Sequence, residues 1–112
     1  PRDQYIESSK SLKINEIPVE LWVYVGLVGN KSGNSVYTYG MREFGKNEME
    51  IINSNLKMVE LYSFILSMVS YVIENDVTFN DGETIGFTED QKIPIKLSKS
   101  KFVDGQSFKF EL

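Results

Sequence analysis

The chain has 112 residues, a net charge of −4, and neither cysteine nor histidine. Without cysteine there is no disulfide, thiolate nucleophile or zinc–thiolate site. Without histidine the usual general base near neutral pH and the commonest transition-metal ligand are missing. The acidic balance argues against a nucleic-acid or anionic-membrane surface, while 41% apolar and 12% aromatic residues suffice for the core of one domain.

The chain begins Pro1-Arg2-Asp3-Gln4, without the positive-then-apolar pattern of a signal peptide. It reads as a fragment or processed product, the C-terminal piece of a longer cytoplasmic chain. Residues 1–17 are polar and weakly patterned, a lead-in segment or linker with a short helix at Tyr5 to Lys10. Pro18 marks the passage into extended structure, and residues 18–112 are expected to form a single domain.

Leu21 to Val28 is rich in β-branched and aromatic residues on both alternating faces, the pattern of a central strand covered at least in part on both sides. Gly29 to Asn34 is a turn, and Ser35 to Tyr39 resumes strand character. Together they predict a hairpin whose loop exceeds the two-residue minimum. Met41 to Phe44 fits one helical turn stopped by Gly45, because glycine tolerates the left-handed terminal position. Glu48 to Ile52 then reads as a short strand.

The clearest element is a helix over about residues 56–75, with Ser54 or Asn55 placed to cap its start. Lys57, Glu60, Ser63, Ser67, Ser70 and Glu74 form a narrow polar stripe. Leu61, Phe64, Ile65, Met68, Val69, Val72 and Ile73 face the other way. Its two early charges and regular serines leave far fewer than about twenty unbroken apolar residues, so it is a core helix and not a membrane span.

Val77 to Phe79 leads to a turn at Asn80-Asp81-Gly82-Glu83 and a strand at Thr84 to Phe87. Ile93 to Ser98 alternates, and Pro94, which cannot donate to a ladder, places this strand at an edge or its proline nitrogen outward. A turn at Asp104-Gly105 precedes a last alternating strand, Phe108 to Leu112, and these late strands are expected to keep one wet face. The sum is an α+β fold with two layers: a mostly antiparallel sheet of about five or six strands, with the one long amphipathic helix packed on one face.

Tyr37 to Ile51 carries the only polar constellation suited to a site. Tyr39, Arg42, Glu43 and Glu48, with Glu50 beyond, surround a loop bounded by Gly40 and Gly45. There Arg42 can grip a carboxylate or phosphate bidentately. The simpler reading is that the glycines serve the turn and the charges are solvated. Asn80 to Glu83 invites a calcium reading, but with Gly82 in the sixth position of an EF-hand loop the first and third ligand positions fall on Val77 and Phe79, which cannot coordinate a cation. Lys92, Lys96, Lys99, Lys101 and Lys109 are mixed with Glu89, Asp90, Asp104 and Glu111 and lack an aromatic ladder, so they suit edge protection better than nucleic acid. The serines of the helix have no partner able to activate them and point to packing. No catalytic residue, metal or cofactor is expected.

Leu21-Trp22-Val23, Tyr37 to Met41, Phe44 to Ile51, Tyr71-Val72-Ile73 and Asp81 to Phe87 occur in an order that resembles the bacterial domain of unknown function family 4261, over about residues 18–112. The resemblance implies a C-terminal domain of a longer cytosolic protein and transfers no activity, substrate or cofactor. The leading expectation is a non-catalytic interaction domain that contacts a protein partner or a neighbouring domain of its own chain through aromatics such as Tyr24, Tyr37 and Tyr39. An immunity or antagonist role is one form of it. The alternative is a small-ligand-binding domain or carboxylate-based enzyme with a pocket near Arg42 and Glu48, and a third is a domain that dimerises its parent.

Overall fold

A computed structural model describes residues 2–11, 23–86 and 91–112. The expectations for Lys13 to Pro18, for Leu21 and Trp22, and for Phe87, Glu89 and Asp90 lie outside these residues. The elements in chain order are α1 (Arg2–Ser11), β1 (Tyr24–Asn30), β2 (Gly33–Tyr39), a 3-10 turn (Met41–Phe44), β3 (Glu48–Ser54), α2 (Met58–Asn75), β4 (Thr84–Gly86), β5 (Lys92–Lys99) and β6 (Gln106–Phe110). The six strands form one open sheet in the order β1-β2-β3-β6-β5-β4. All neighbours are antiparallel except β3 and β6, which run parallel with Glu48 opposite Ser107 and Glu50 opposite Lys109. The fold is α+β, with α2 laid on one face of the sheet.

The core lies between α2 and that face. Alternation along the strands points Val36, Met49, Ile51, Ile95, Phe108 and Phe110 toward the buried stripe of Leu61, Ile65, Val69, Val72 and Ile73. Phe79 closes one end, edge-on to Phe108 at 5.8 Å and to Phe110 at 5.9 Å, a geometry favoured by the ring quadrupoles. No helix among the described residues is long and apolar enough to cross a membrane.

α2 begins two residues later than expected, and neither Ser54 nor Asn55 caps it. Lys57 occupies the N-cap without a side-chain bond, while the Ser54 hydroxyl accepts from the Leu56 amide in the approach to the helix. Ser70, expected on the polar stripe, is buried, while Ser67 before it and Glu74 after it are exposed. At the other end Asp76 adopts the left-handed conformation, and the Val77 amide closes onto the Val72 carbonyl. Arg2 of α1 donates to the carbonyls of Ile73 and Glu74 at 2.9 and 2.7 Å. A cation thereby satisfies acceptors left open at the helix C-terminus.

Three further expectations are corrected. Among the described residues β1 is an outer strand and not a central one; Val25 packs against the core on one side, and the Tyr37 ring lies over Gly26 on the other. Its hairpin to β2 is the minimal one, Lys31-Ser32, since Asn30 pairs with Gly33 and the Asn30 side chain accepts from the Ser32 amide, tightening the turn. The outer face of the late strands is not uniformly wet, because Ser107 is buried there. Pro94 sits on β5, an interior strand, opposite Glu111 and just past the last ladder residue of β6; its carbonyl accepts from the Glu111 amide. The proline nitrogen faces the same neighbour and cannot return the bond to Glu111, so the loss falls at the frayed end of the β6 ladder, just past Phe110.

The close packing of the hairpin against β3 sets one specific requirement. Gly33 has φ +139°, and a Cβ there would lie 2.7 Å from the backbone of Asn53 and Ser54, whereas Gly45 (φ +72°) has open space around it. Gly33→Ala should therefore cost about 3 kcal/mol or more and Gly45→Ala only about 1 kcal/mol. Urea unfolding midpoints at unchanged slope measure the difference.

Candidate functional site

The outer face of the sheet, away from α2, is organised by two carboxylates on β3. Alternation puts Glu48 and Glu50 on this face, yet both are buried, at 2% and 0% exposure. A buried carboxylate must be paired and hydrogen-bonded to persist, and each of these recruits a different segment of the chain.

Glu48 gathers the loop after β2. Its Oε1 accepts from the Thr38 hydroxyl and the Met41 amide, and its Oε2 from the amides of Gly40 and Arg42 and from Arg42 Nε at 3.0 Å. The amides belong to the first residues of the 3-10 turn, whose unsatisfied donors favour an anion. These five donors exceed the four or so lone-pair sites of a carboxylate, leaving no acceptor open for a substrate proton. Glu48 is a structural anchor in this arrangement.

Arg42 is fixed by the same network and remains 40% exposed. Its guanidinium lies 4.7 Å above the Tyr39 ring, a cation–π contact, and Nη2 donates to the Asp104 carbonyl at 3.0 Å. The hydrogen bond to Glu48 raises its already high pKa further, so it is a permanent cation. Tyr39 is 49% exposed. Of the four residues singled out in sequence, Tyr39, Arg42 and Glu48 come together; Glu43 points to solvent and makes no ion pair among the described residues. A cleft of about 270 Å³ opens beside Arg42 and Lys46 over Met49, Phe79 and Phe108 without reaching Glu48, and a smaller one of about 180 Å³ is lined by Arg42, Lys46 and Glu48 together with Asp104. Lys46 is held by Asp76 at 2.9 Å and by Thr78.

Glu50 gathers the β5–β6 connection. Lys109 Nζ lies 3.0 Å from Oε1, the Ser100 hydroxyl donates to Oε2 and the Lys101 amide to Oε1. Burial alone would raise this carboxyl, but the bonds from Lys109, Ser107, Lys101 and Ser100 outweigh it and hold it below the usual range. The loop over 100–105 is thereby folded onto the sheet, and Phe102 stacks on Tyr37 at 4.6 Å. Tyr24 is tilted against Tyr37 at 6.1 Å and is 60% exposed. The Tyr37 ring lies over Gly26, where any Cβ would come within 2.2 Å of it. Burial, then Tyr24, raise the Tyr37 hydroxyl above its usual value.

The result is a strip of aromatic side chains in which Tyr24 joins Tyr37 and Phe102 on one side and stands cross-strand from Tyr39, with Arg42 over the Tyr39 ring, on the other. Phe102 was not singled out in sequence, since only the Glu50 network brings its loop here. The parallel register of β3 and β6, which sets Lys109 opposite Glu50, is the missing signal, and no local pattern contains it. The expected turn at Asn80 to Glu83 is present. Asp81 accepts from the Leu97 amide and the Gly82 amide donates to Ile95, and among the described residues no three acidic side chains converge on a metal position.

Residues 37–111 match the family described as domain of unknown function (DUF4261). The chain belongs to this family. The match begins at β2 and takes in both carboxylates, α2 and all later strands, while β1 and Leu21-Trp22-Val23 lie before it. Comparison with curated proteins and with solved structures gives no match.

The sign of the Glu50 shift sets a pH dependence. Its folded pKa lies below its unfolded value, so its contribution is fully present above the ordinary glutamate pKa of about 4.3. It is lost as pH falls through that value toward the depressed one. Glu50→Gln should destabilise the fold by about 2–3 kcal/mol at neutral pH, by leaving Lys109 without its carboxylate, and by less in acid. Urea titrations of both proteins at neutral and acidic pH should converge as pH falls; parallel curves would remove Glu50 from this role.

Proposed function

We propose that the chain is a non-catalytic protein-interaction domain of a bacterial cytosolic protein and that its contact face is the aromatic strip ending at Tyr39 and Arg42. The observation that carries this reading is the exposure of Tyr39 beneath a guanidinium already fixed by Glu48 and the Asp104 carbonyl. Tyrosine and arginine are over-represented among the residues that dominate interface energies, and a prearranged pair loses little side-chain entropy on binding. The partner is another protein or a neighbouring domain of the same chain, and an immunity or antagonist role, in which this face occludes an effector, is one form. Nucleic acid and membrane are not the partners of this surface, because its Arg42, Lys109 and Lys96 are paired with Glu48, Glu50 and Glu111. A second reading, a small ligand bound near Arg42 and Glu48, is supported by the cleft of about 270 Å³ beside Arg42 and Lys46 and by the smaller one of about 180 Å³ that Glu48 also lines.

Affinity capture from lysate of the native host, followed by mass spectrometry and titration of the captured partner, tests the proposal. Tyr39→Ala combined with Arg42→Lys keeps a cation beside Glu48 while removing the stacked pair. It should weaken the partner at least tenfold, about 1.4 kcal/mol. Tyr71→Ala, on the exposed side of α2, should leave binding unchanged. A partner that tolerates the first variant and is lost with the second would move the contact face to the helix.

A further inference from the structure

Between the segment that follows α2 and the 3-10 turn before β3 lies the cleft of about 270 Å³, with an apolar floor of Met49, Val72, Val77, Phe79 and Phe108. Arg42 and Lys46 also line it and no acidic side chain does, in a chain whose net charge is −4. Both cations are set in place before anything binds. Glu48 and the Asp104 carbonyl hold Arg42 through Nε and Nη2, and among the described residues its Nη1 has no acceptor. Asp76 and Thr78 each hold Lys46 Nζ at 2.9 Å, and the lysine side chain is only 12% exposed. Two acceptors leave one of its three N–H groups unused. The carboxylates that compensate the two charges, Glu48 and Asp76, do not line this cleft.

We propose that the cleft binds a small carboxylic acid with a compact apolar body, the carboxylate taken by Arg42 and Lys46 and the body laid on the valines and phenylalanines. This rests on the small-ligand reading of the Arg42 region and gives that ligand a chemistry. The floor calls for the body, since a bare ion would leave that apolar surface against water. The rim calls for a head that accepts and does not donate, since arginine and lysine side chains only donate. A single charge suits it better than the double charge of a phosphate. Each cation already has a carboxylate partner outside the cleft and offers unspent N–H groups more than unspent charge. The cleft of about 180 Å³ shares Arg42 and Lys46 but adds Glu48 and Asp104 and no apolar side chain, so the acid takes the larger one. That volume lies just under the roughly 300–1,000 Å³ of pockets for drug-sized ligands, which limits the body to one ring or a short branched chain.

Titration of the full chain, followed by amide and methyl NMR, tests this with 3-phenylpropionate, its uncharged amide, and acetate. 3-Phenylpropionate should shift the Lys46 and Asn47 amides and the Val72 and Val77 methyls together. The amide lacks the charge and acetate lacks the body, and each should bind at least tenfold more weakly. Lys46→Met keeps the stem, removes the ammonium and leaves Asp76 to the solvent that already reaches it. It should weaken 3-phenylpropionate at least fivefold and leave the amide unchanged. Lys101→Met, outside the cleft, should behave as wild type. The spectra report whether each variant folds; should Lys46→Met not fold, the acid-to-amide ratio in the wild-type chain decides. Equal binding of 3-phenylpropionate and either control overturns the proposal while the cleft remains a ligand site. If no probe moves a cleft resonance, the small-ligand reading falls with it.

Discussion

Two buried carboxylates, two residues apart on β3, govern the outer half of this protein. Removing a charged group from water costs several kcal/mol unless partners replace the lost hydration, and Glu48 and Glu50 are at 2% and 0% exposure. Part of the replacement comes from neighbouring strands, through Thr38 and Lys109, and the rest from the two connecting loops. Glu48 draws in the amides of the 3-10 turn and the Arg42 side chain; Glu50 draws in Ser100, the Lys101 amide and Lys109. Each loop is thereby folded as a consequence of the charge beneath it.

The aromatic strip follows from those anchors. With the 100–105 loop held over Glu50, Phe102 has Tyr37 to stack on, and Tyr37 has a flat seat because Gly26 carries no side chain. With Arg42 held by Glu48, its guanidinium lies over Tyr39. Aromatic surface is thus kept in place on a face that, among the described residues, no helix covers. The same anchoring fills the acceptor sites of Glu48. A carboxylate with every acceptor site filled holds its surroundings still and has no capacity left to take a proton.

The apolar half is simpler. α2 buries a continuous stripe against phenylalanines and aliphatic residues from β2, β3, β5 and β6, and the strength of that stripe sets which face of the sheet is inside. Once it is set, the period of two along every strand assigns the remaining side chains to the outer face, including both glutamates. The sheet ends where the pattern changes, in a three-residue strand on one side and an uncharged seven-residue strand on the other.

Local patterns in the sequence were enough for the class of fold and for the long helix, because a stripe at 3.6-residue period and strands at period two are encoded within a few turns or residues. They were enough, too, for the helical turn ended by Gly45 and for the turn at Asn80 to Glu83, each a matter of neighbouring backbone geometry. They placed β1 in the centre because its composition is that of a covered strand; only the strand order shows it on the outside. Tyr39, Arg42 and Glu48 were legible as neighbours because they lie within ten residues, but not the use to which Glu48 is put. Glu50 meets Lys109 and Ser100 across separations of about half the chain or more, through a parallel register no short-range signal contains. Sequence determined which segments become helix and strand, since those choices depend on local sterics and periodicity. Tertiary structure alone decided which charges are buried and which loops they hold, since that depends on residues far apart in the chain sharing one place from which water is excluded.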